Sequence, residues 1–222
     1  RFGKSLLLST FEAYFEGKKE LFEGLTIADM EKEWKTYPVF HLDLNAEKYD
    51  SPQALVEILS RQLTQWELKY GKGEDEETLS GRFAGVIRRA CEQSGRGVVV
   101  LVDEYDKPLL QALGDDALLD DYRKTLKAFY GVLKSSDRYL RFVFLTGVTK
   151  FSQVSVFSGF NQPFDISMHG KYETLCGISQ EELDDNFSEP MESMAKVYQC
   201  SYEEMRDKLK AQYDGYHFSD QM

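Results

Sequence analysis

Two short groups of residues carry side chains suited to phosphate chemistry, and the first stands at positions 3–6. Gly3-Lys4-Ser5 directly precedes an apolar segment with helical spacing. It matches the end of the pattern G-x-x-x-x-G-K-[ST], in which lysine reaches the β- and γ-phosphates and the hydroxyl ligates Mg²⁺. A helix that begins here also presents free N–H groups, including that of Leu6, to an anion. An exposed helix start is the alternative for this group taken alone.

The second group is Asp103-Glu104, which follows the apolar run Val98–Val102. An aspartate at the end of a buried strand can hold Mg²⁺, and an adjacent glutamate can orient and deprotonate an attacking water. Two neighbouring carboxylates also favour a nearby cation, because like charges resist joint ionisation. The alternative is a helix-capping pair in a solvated loop. The preceding strand favours the catalytic interpretation, with Ser5 and Asp103 as metal ligands and Glu104 as catalytic base.

A third polar position, Thr146, ends the apolar segment 141–146. It is predicted to sense the γ-phosphate or hold the attacking water, and capping of the strand–loop junction is the alternative. Asp106 and Lys107 are expected to shape the loop behind the carboxylate pair. Four arginines are candidates for an arginine finger and equally for surface ion pairs: Arg88, Arg89, Arg138 and Arg141.

The elements that must position these groups alternate between strands and helices. Strands are predicted at 38–44, 98–102 and 141–146, and helices at 4–15, 53–70, 79–93 and 118–133. Five consecutive apolar residues at 98–102 are typical of a strand covered on both faces of a parallel sheet. Strands separated by helices indicate βαβ units. We therefore expect an α/β fold with a parallel sheet of the P-loop NTPase type, whose first strand is not in this sequence.

The last part of the chain differs in composition. A long loop is predicted at 151–165, an edge strand at 165–168, and helices at 179–186, 190–198 and 201–213. From residue 175 onward, acidic residues outnumber basic ones by 11 to 4, whereas the rest is nearly balanced. This asymmetry predicts a core domain at 1–170 and an acidic helical subdomain at 171–222.

Composition excludes several other classes of protein. The 222 residues carry a formal net charge of −11, which argues against sequence-independent binding of nucleic acid. No apolar run approaches the ~20 residues of a membrane span, and the first residues do not resemble a signal peptide, so a cytoplasmic location is expected. Three scattered cysteines and three scattered histidines do not suit a disulfide framework or a zinc site.

Six stretches, taken together, resemble the AAA-ATPase-like proteins of bacteria, a family related to the STAND and AAA groups. They are Arg-Phe-Gly-Lys-Ser-Leu-Leu-Leu-Ser-Thr at 1–10, Tyr-Pro-Val-Phe-His-Leu-Asp at 37–43, Val-Asp-Glu-Tyr-Asp-Lys-Pro-Leu at 102–109, Leu-Thr-Gly-Val-Thr-Lys-Phe-Ser at 145–152, Val-Phe-Ser-Gly-Phe-Asn-Gln at 156–162 and Tyr-Asp-Gly-Tyr-His-Phe at 213–218. They occur in order along nearly the whole chain, so the resemblance is more specific than any single motif.

The resemblance implies roles for the residues already singled out. Gly3 and Lys4 match the phosphate-binding glycine and lysine, and Ser5 matches the Mg²⁺-binding hydroxyl. Asp103 and Glu104 match the Mg²⁺-associated aspartate and the catalytic base, and Thr146 resembles the sensor. Family members usually begin with a further strand and an arginine-rich loop, and many end in a nuclease-like domain of the PD-(D/E)XK type. We expect both regions to lie outside this chain.

The expected function is therefore ATP binding and Mg²⁺-dependent hydrolysis, by in-line attack of water on the γ-phosphate. The alternative is a nucleotide-dependent switch or scaffold with little turnover, which signals to a partner protein or nuclease-like domain through the acidic helical tail. A kinase or GTPase is a third class. The sequence contains no Asn-Lys-x-Asp segment for guanine recognition, which makes a GTPase the weaker interpretation.

Overall fold

Three apolar strands form a parallel sheet in the computed structural model, which describes residues 3–45, 48–148 and 164–213. β1 spans Val39–Asp43, β2 spans Val98–Asp103 and β3 spans Leu140–Leu145, and they lie side by side in that order. All six residues of β2 are buried, as expected for a central strand with neighbours on both edges and layers on both faces. The three predicted strands are confirmed.

The register of the sheet brings the polar ends of the strands to one edge. Asp43 of β1 lies beside Asp103 of β2, and Val102 of β2 lies beside Leu145 of β3. Because all three strands are parallel, the residues that follow them leave the sheet on the same side. Thr146, which follows β3, therefore lies next to Asp103.

Six helices accompany the sheet in the described residues up to 148. They are α1 Lys4–Phe15, α2 Thr26–Met30, α3 Pro52–Tyr70, α4 Leu79–Ser94, α5 Lys107–Gln111 and α6 Asp116–Ser135. The four long helices are confirmed. The sequence did not predict α2 and α5, because five residues are too few to show a helical period.

Buried side chains cover both faces of the sheet, and successive side chains of β2 point to opposite faces. Val98, Val100 and Val102 belong to a large buried cluster built with α3, α4 and α6. Val99 and Leu101 point the other way, into a smaller cluster that includes residues of α1. Aromatic rings fill both layers: Phe83 of α4 stacks on Phe129 of α6 with ring centroids 4.4 Å apart, and Phe11 of α1 meets Phe144 of β3 at 5.1 Å.

The chain divides into two compact units, Lys4–Pro163 and Phe164–Met222, and Arg1–Gly3 groups with the second. The second unit contains α7 Gln180–Asn186, α8 Ser188–Val197 and α9 Tyr202–Tyr213. Its buried core consists of Met191, Ala195 and Met205. The three predicted C-terminal helices are confirmed, whereas the proposed domain boundary at 170/171 stays a prediction.

The predicted edge strand at 165–168 is wrong. This segment is irregular and turns at residues 167–168. The Asp165 side chain accepts a hydrogen bond from the Ser167 N–H at 2.9 Å, a local bond that bends the chain instead of extending it. Most of the loop predicted at 151–165 lies outside the described residues. Within the described ranges, every helix is too short or too polar to cross a bilayer.

Candidate functional site

The start of α1 places Gly3, Lys4 and Ser5 at the carboxyl edge of the sheet. Gly3 has a φ of +91°, in the region that glycine adopts at little cost. A Cβ added there would meet no atom within 4 Å, so its backbone conformation, not crowding, favours glycine. Lys4 is the first residue of α1. Leu6, in the first turn of α1, is 72% exposed.

The Lys4 ammonium group connects the two loops that follow β2 and β3. Lys4 Nζ donates a hydrogen bond to the Gly147 carbonyl oxygen at 2.8 Å and lies 3.3 Å from Glu104 Oε1. The Lys4 side chain is 25% exposed and that of Glu104 is 16% exposed. The lysine therefore brings positive charge to the carboxylate pair while part of it still reaches solvent.

Asp103 accepts a hydroxyl on each of its carboxylate oxygens. Ser5 Oγ donates to Oδ2 at 2.5 Å, and Thr146 Oγ1 donates to Oδ1 at 2.5 Å. Asp103 is 4% exposed and Thr146 is 7% exposed, so their bond lies away from bulk water, whereas Ser5 is exposed and approaches the carboxylate from the solvent side. The buried carboxylate thus joins the start of α1 to the end of β3, and its partners compensate its lost hydration.

Glu104 adopts a φ of +54°, which is uncommon for a residue with a side chain. Its carbonyl oxygen accepts the Lys107 N–H at 2.9 Å, which closes a tight turn between β2 and α5. Its own N–H lies 3.4 Å from Thr146 Oγ1, a long hydrogen bond. This turn directs the Glu104 carboxylate back toward Lys4, at the modest conformational cost often found at functional sites.

Gly147 is a site residue that the sequence analysis missed. A Cβ on Gly147 would lie 2.4 Å from the Tyr105 ring and 2.7 Å from Asp106 Oδ1, so no side chain fits there. The backbone thereby approaches closely enough for its carbonyl oxygen to accept from Lys4. The Thr-Gly sequence at a strand end was the available signal, but it does not reveal which atoms approach the glycine.

A buried tyrosine, Tyr130, lies close enough to Tyr105 and Asp106 for their charges to influence it. Tyr130 of α6 is fully buried, and burial raises its pKa well above 10, with further contributions from Tyr49, Tyr105 and Asp106. The Tyr130 hydroxyl therefore stays protonated across the physiological pH range. It does not add a charge beside the carboxylates.

Five predicted site residues converge: Lys4, Ser5, Asp103, Glu104 and Thr146. The four candidate arginines contact other groups. Arg88 pairs with Glu92, Arg89 pairs with Glu76, Arg138 lies over the Tyr139 ring and Arg141 lies over the Tyr37 ring. None of these contacts involves a residue of the site.

The oxygen atoms of Ser5 and Asp103 suit Mg²⁺. Their hydroxyl and carboxylate groups are hard ligands, and they lie within 2.5 Å of each other. In the described residues, no group of three or more His, Cys, Asp or Glu side chains could hold a metal by itself.

Comparisons with known proteins identify the family of the chain. The family model described as "Predicted AAA-ATPase" matches residues 1–157. A curated relative, described as "Uncharacterized protein in vnfD 5'region" of Azotobacter chroococcum mcd 1, is 36% identical over 219 residues. The match covers 99% of this chain and 40% of the relative, so the chain spans well under half of the relative's length. No solved structure matches.

Proposed function

Because the chain belongs to the AAA-ATPase-like family, we propose that it binds ATP and hydrolyses it with Mg²⁺. The observation that supports this is the convergence of Lys4, Ser5 and the Asp103-Glu104 pair at the carboxyl edge of one parallel sheet. Ligands of α/β sheets commonly bind at this edge. A lysine and a hydroxyl at a helix start, facing two carboxylates, are the groups that transfer of a phosphoryl group to water requires.

The sheet supports a P-loop NTPase fold for this part of the protein. β3 is apolar yet only partly buried, and among the described residues it pairs with a strand on one edge alone. α1 packs on the same sheet through Phe11, which meets Phe142 and Phe144 of β3. A strand before Gly3 that paired with the open edge of β3 would lead directly into α1.

Nucleotide binding would use the start of α1. The free N–H groups of its first turn, the permissive backbone of Gly3 and the Lys4 ammonium group all favour an anion. In this structure Lys4 contacts Glu104 and the Gly147 carbonyl oxygen, so we propose that phosphate oxygens compete for the same ammonium group. Ser5 and Asp103 would hold Mg²⁺, which when bound neutralises charge on the phosphate oxygens.

Glu104 is proposed as the general base. Its carboxylate would take a proton from a water molecule whose oxygen attacks the γ-phosphorus, as the bond from phosphorus to the leaving ADP oxygen breaks. The Glu104 turn aims the side chain at the position where Lys4 meets the nucleotide. Thr146, through its bond to Asp103 Oδ1, would keep the aspartate oriented toward Ser5. The products are ADP and inorganic phosphate.

One contact favours the switch as a second candidate function. Glu104 Oε1 lies 3.3 Å from Lys4 Nζ, and a carboxylate held in that ion pair is not directed at a water molecule. A protein that keeps this pair after ATP binds would turn over slowly. It would then serve as a nucleotide-dependent switch for a partner protein or for a nuclease-like domain outside this chain.

We also propose that the protein is cytoplasmic and that this chain does not bind nucleic acid directly.

The test compares ATP turnover and ATP binding in the full-length protein and its E104Q variant. We expect turnover to fall by about 100-fold or more while binding persists, since a general base typically contributes a factor of 10²–10⁴. K4A should lose nucleotide binding. E16Q is the matched control, because Glu16 also pairs with a lysine, Lys18, away from the site.

Each possible result decides between the candidates. Equal turnover in E104Q and the wild type would remove Glu104 from the mechanism. Tight binding with negligible turnover in the wild type would favour the switch. Wild-type protein that neither binds nor hydrolyses ATP would contradict both candidates.

A further inference from the structure

Asp106 is a buried acidic residue that the mechanism above does not use. It lies in the turn between β2 and α5 and is 0% exposed. Its two carboxylate oxygens lie 3.1 and 3.0 Å from the Val148 backbone nitrogen and accept its N–H. Val148 itself is 64% exposed, so the contact anchors the backbone of a surface loop and not a core side chain.

This contact continues the hydrogen bonding between β2 and β3 beyond the sheet. The Thr146 N–H donates to the Val102 carbonyl oxygen at 2.8 Å, and the Tyr105 N–H donates to the Thr146 carbonyl oxygen at 2.8 Å. Val148 lies two residues beyond Thr146. At that level the segment that follows β2 has turned into α5 and presents no backbone carbonyl oxygen to the Val148 N–H. The Asp106 carboxylate takes the place of that missing backbone acceptor.

The anchored backbone carries two groups of the candidate site. Thr146 lies at one end of the anchored stretch and donates to Asp103, and Gly147 lies beside Val148 and accepts from Lys4. Gly147 is also clamped from the other side, because its backbone approaches the Tyr105 ring and Asp106 too closely for a side chain. A loop that is held at both ends in this way has little freedom to move those two groups.

We propose that Asp106 is a positioning residue, which holds residues 146–148 so that the Gly147 carbonyl oxygen faces Lys4 and the Thr146 hydroxyl faces Asp103. The proposal rests on the proposed ATPase function for its kinetic consequence. A carboxylate suits this task because it accepts N–H groups more strongly than a neutral acceptor does. Its burial requires such partners, since an unsatisfied buried charge is costly.

Two variants of the full-length protein remove the contact from opposite sides. D106A deletes the acceptor, and V148P deletes the donor at an exposed position without touching the core. V148A keeps the N–H and is the matched control for V148P. D115A is the control for D106A, because Asp115 likewise accepts a backbone N–H, from Leu118 at the start of α6, away from the site. D106N keeps one oxygen acceptor and tests for rescue.

In D106A and V148P, kcat should fall by a larger factor than the affinity for nucleotide does. We expect D106A and V148P to lower kcat by about 10- to 100-fold, because small displacements of positioned groups have effects of that size. The nucleotide Kd should change by less than about threefold, since the first turn of α1 remains intact. D106N should recover part of the lost kcat. A purely structural Asp106 would lower Tm and leave kcat unchanged well below the melting temperature, which would overturn the proposal.

Amide hydrogen exchange gives a second measurement that needs no activity. Residues 146–148 should exchange faster in D106A than in the wild type and D115A, and residues 146 and 147 should exchange faster in V148P, which has no amide hydrogen at 148, than in V148A. Unchanged exchange at these residues would overturn the proposal whether or not the wild type hydrolyses ATP. Wild-type protein without ATP turnover would contradict the proposed function instead, and exchange would then decide the role of Asp106. If D106A does not fold, V148P and D106N decide it.

Discussion

The two compact units of this chain differ in how far along the sequence their polar side chains reach. In the unit Lys4–Pro163, Ser5 contacts Asp103 and Lys4 contacts Gly147, across 98 and 143 positions of sequence. In the described part of the unit Phe164–Met222, bonds such as those between Ser179 and Glu182 join residues three positions apart. The longest reach there is shorter than in the first unit, since Asp184 accepts from Tyr202 and Arg206, 18 and 22 positions away. Long-range contacts assemble a chemical site from separate segments, whereas local contacts only begin a helix.

The buried cores differ in the same way. The first unit packs apolar side chains on both faces of a sheet, and each face draws on several helices. The second buries Met191, Ala195 and Met205 between two successive helices. The polar site therefore lies on a sheet with a core on each face, whereas the second unit has one small core between two helices. Three substitutions test this contrast, from the largest expected effect to the smallest.

The first substitution is E67A. The Arg82 guanidinium group donates to both Glu67 oxygens at 2.8 and 2.7 Å, and the two side chains are 10% and 7% exposed. Removing Glu67 leaves the buried Arg82 charge with its bonds to Ser60 and Thr64 but without its carboxylate partner. We therefore expect the free energy of unfolding to fall by about 3–5 kcal/mol. Urea denaturation measures this free energy. The control is E181A, an exposed position on α7, where we expect about 0.5 kcal/mol or less. Similar losses in both would contradict the contrast.

The second substitution is T146V, which removes the hydroxyl that donates to Asp103 from 43 positions away. We expect ATP turnover to fall by about tenfold, since the buried carboxylate loses one of its two hydroxyl donors and its orientation with it. Steady-state kinetics of the full-length protein measures this. T10V is the control, because the Thr10 hydroxyl donates locally to the Leu6 carbonyl oxygen within α1. Wild-type turnover in T146V would show that the long-range bond has no part in the chemistry.

The third substitution is S179A, which deletes the capping box of α7. Ser179 Oγ accepts the Glu182 N–H at 3.1 Å and Glu182 accepts the Ser179 N–H at 2.8 Å. We expect a loss of about 1 kcal/mol in local stability, seen as faster hydrogen exchange within α7, with ATP turnover unchanged. S188A is the control, because Ser188 is the first residue of α8 and follows the N-cap residue, Phe187, which makes no side-chain cap bond. A drop in turnover would show that the two units are coupled.

Periodicity predicted the long elements well. Lys4–Phe15 repeats its apolar residues at helical spacing, and Val98–Val102 is a continuous apolar run, so each pattern matches one kind of structure. The start of α3 is also readable in the residues, since Ser51 is its N-cap and Pro52 stands at the first helical position, which proline suits. The short helices α2 and α5 went unpredicted, and the strand expected at 165–168 was wrong, because segments of four or five residues follow local bonds more than any pattern.

The candidate site was likewise predicted only in part. Residue types and neighbouring elements were enough to single out Lys4, Ser5, Asp103, Glu104 and Thr146, because phosphate chemistry draws on a small set of side chains next to strand ends and helix starts. Their roles stay predictions until nucleotide binding and turnover are measured. Sequence could not identify the Gly147 carbonyl oxygen or the Asp106 carboxylate as partners, since neither residue type reports which distant backbone approaches it.

The chain's residue pattern thus sufficed for the helices, the strands and the chemical character of the groups at their ends, because those properties depend on neighbours a few positions away. The distances among those groups depend instead on strand register and on helix packing. Parallel pairing of β2 with β3 brings Asp103 beside Thr146, and the packing of α1 on that sheet brings Lys4 to Glu104. The free energy of the whole fold determines this register and packing, and no single segment of the sequence specifies them.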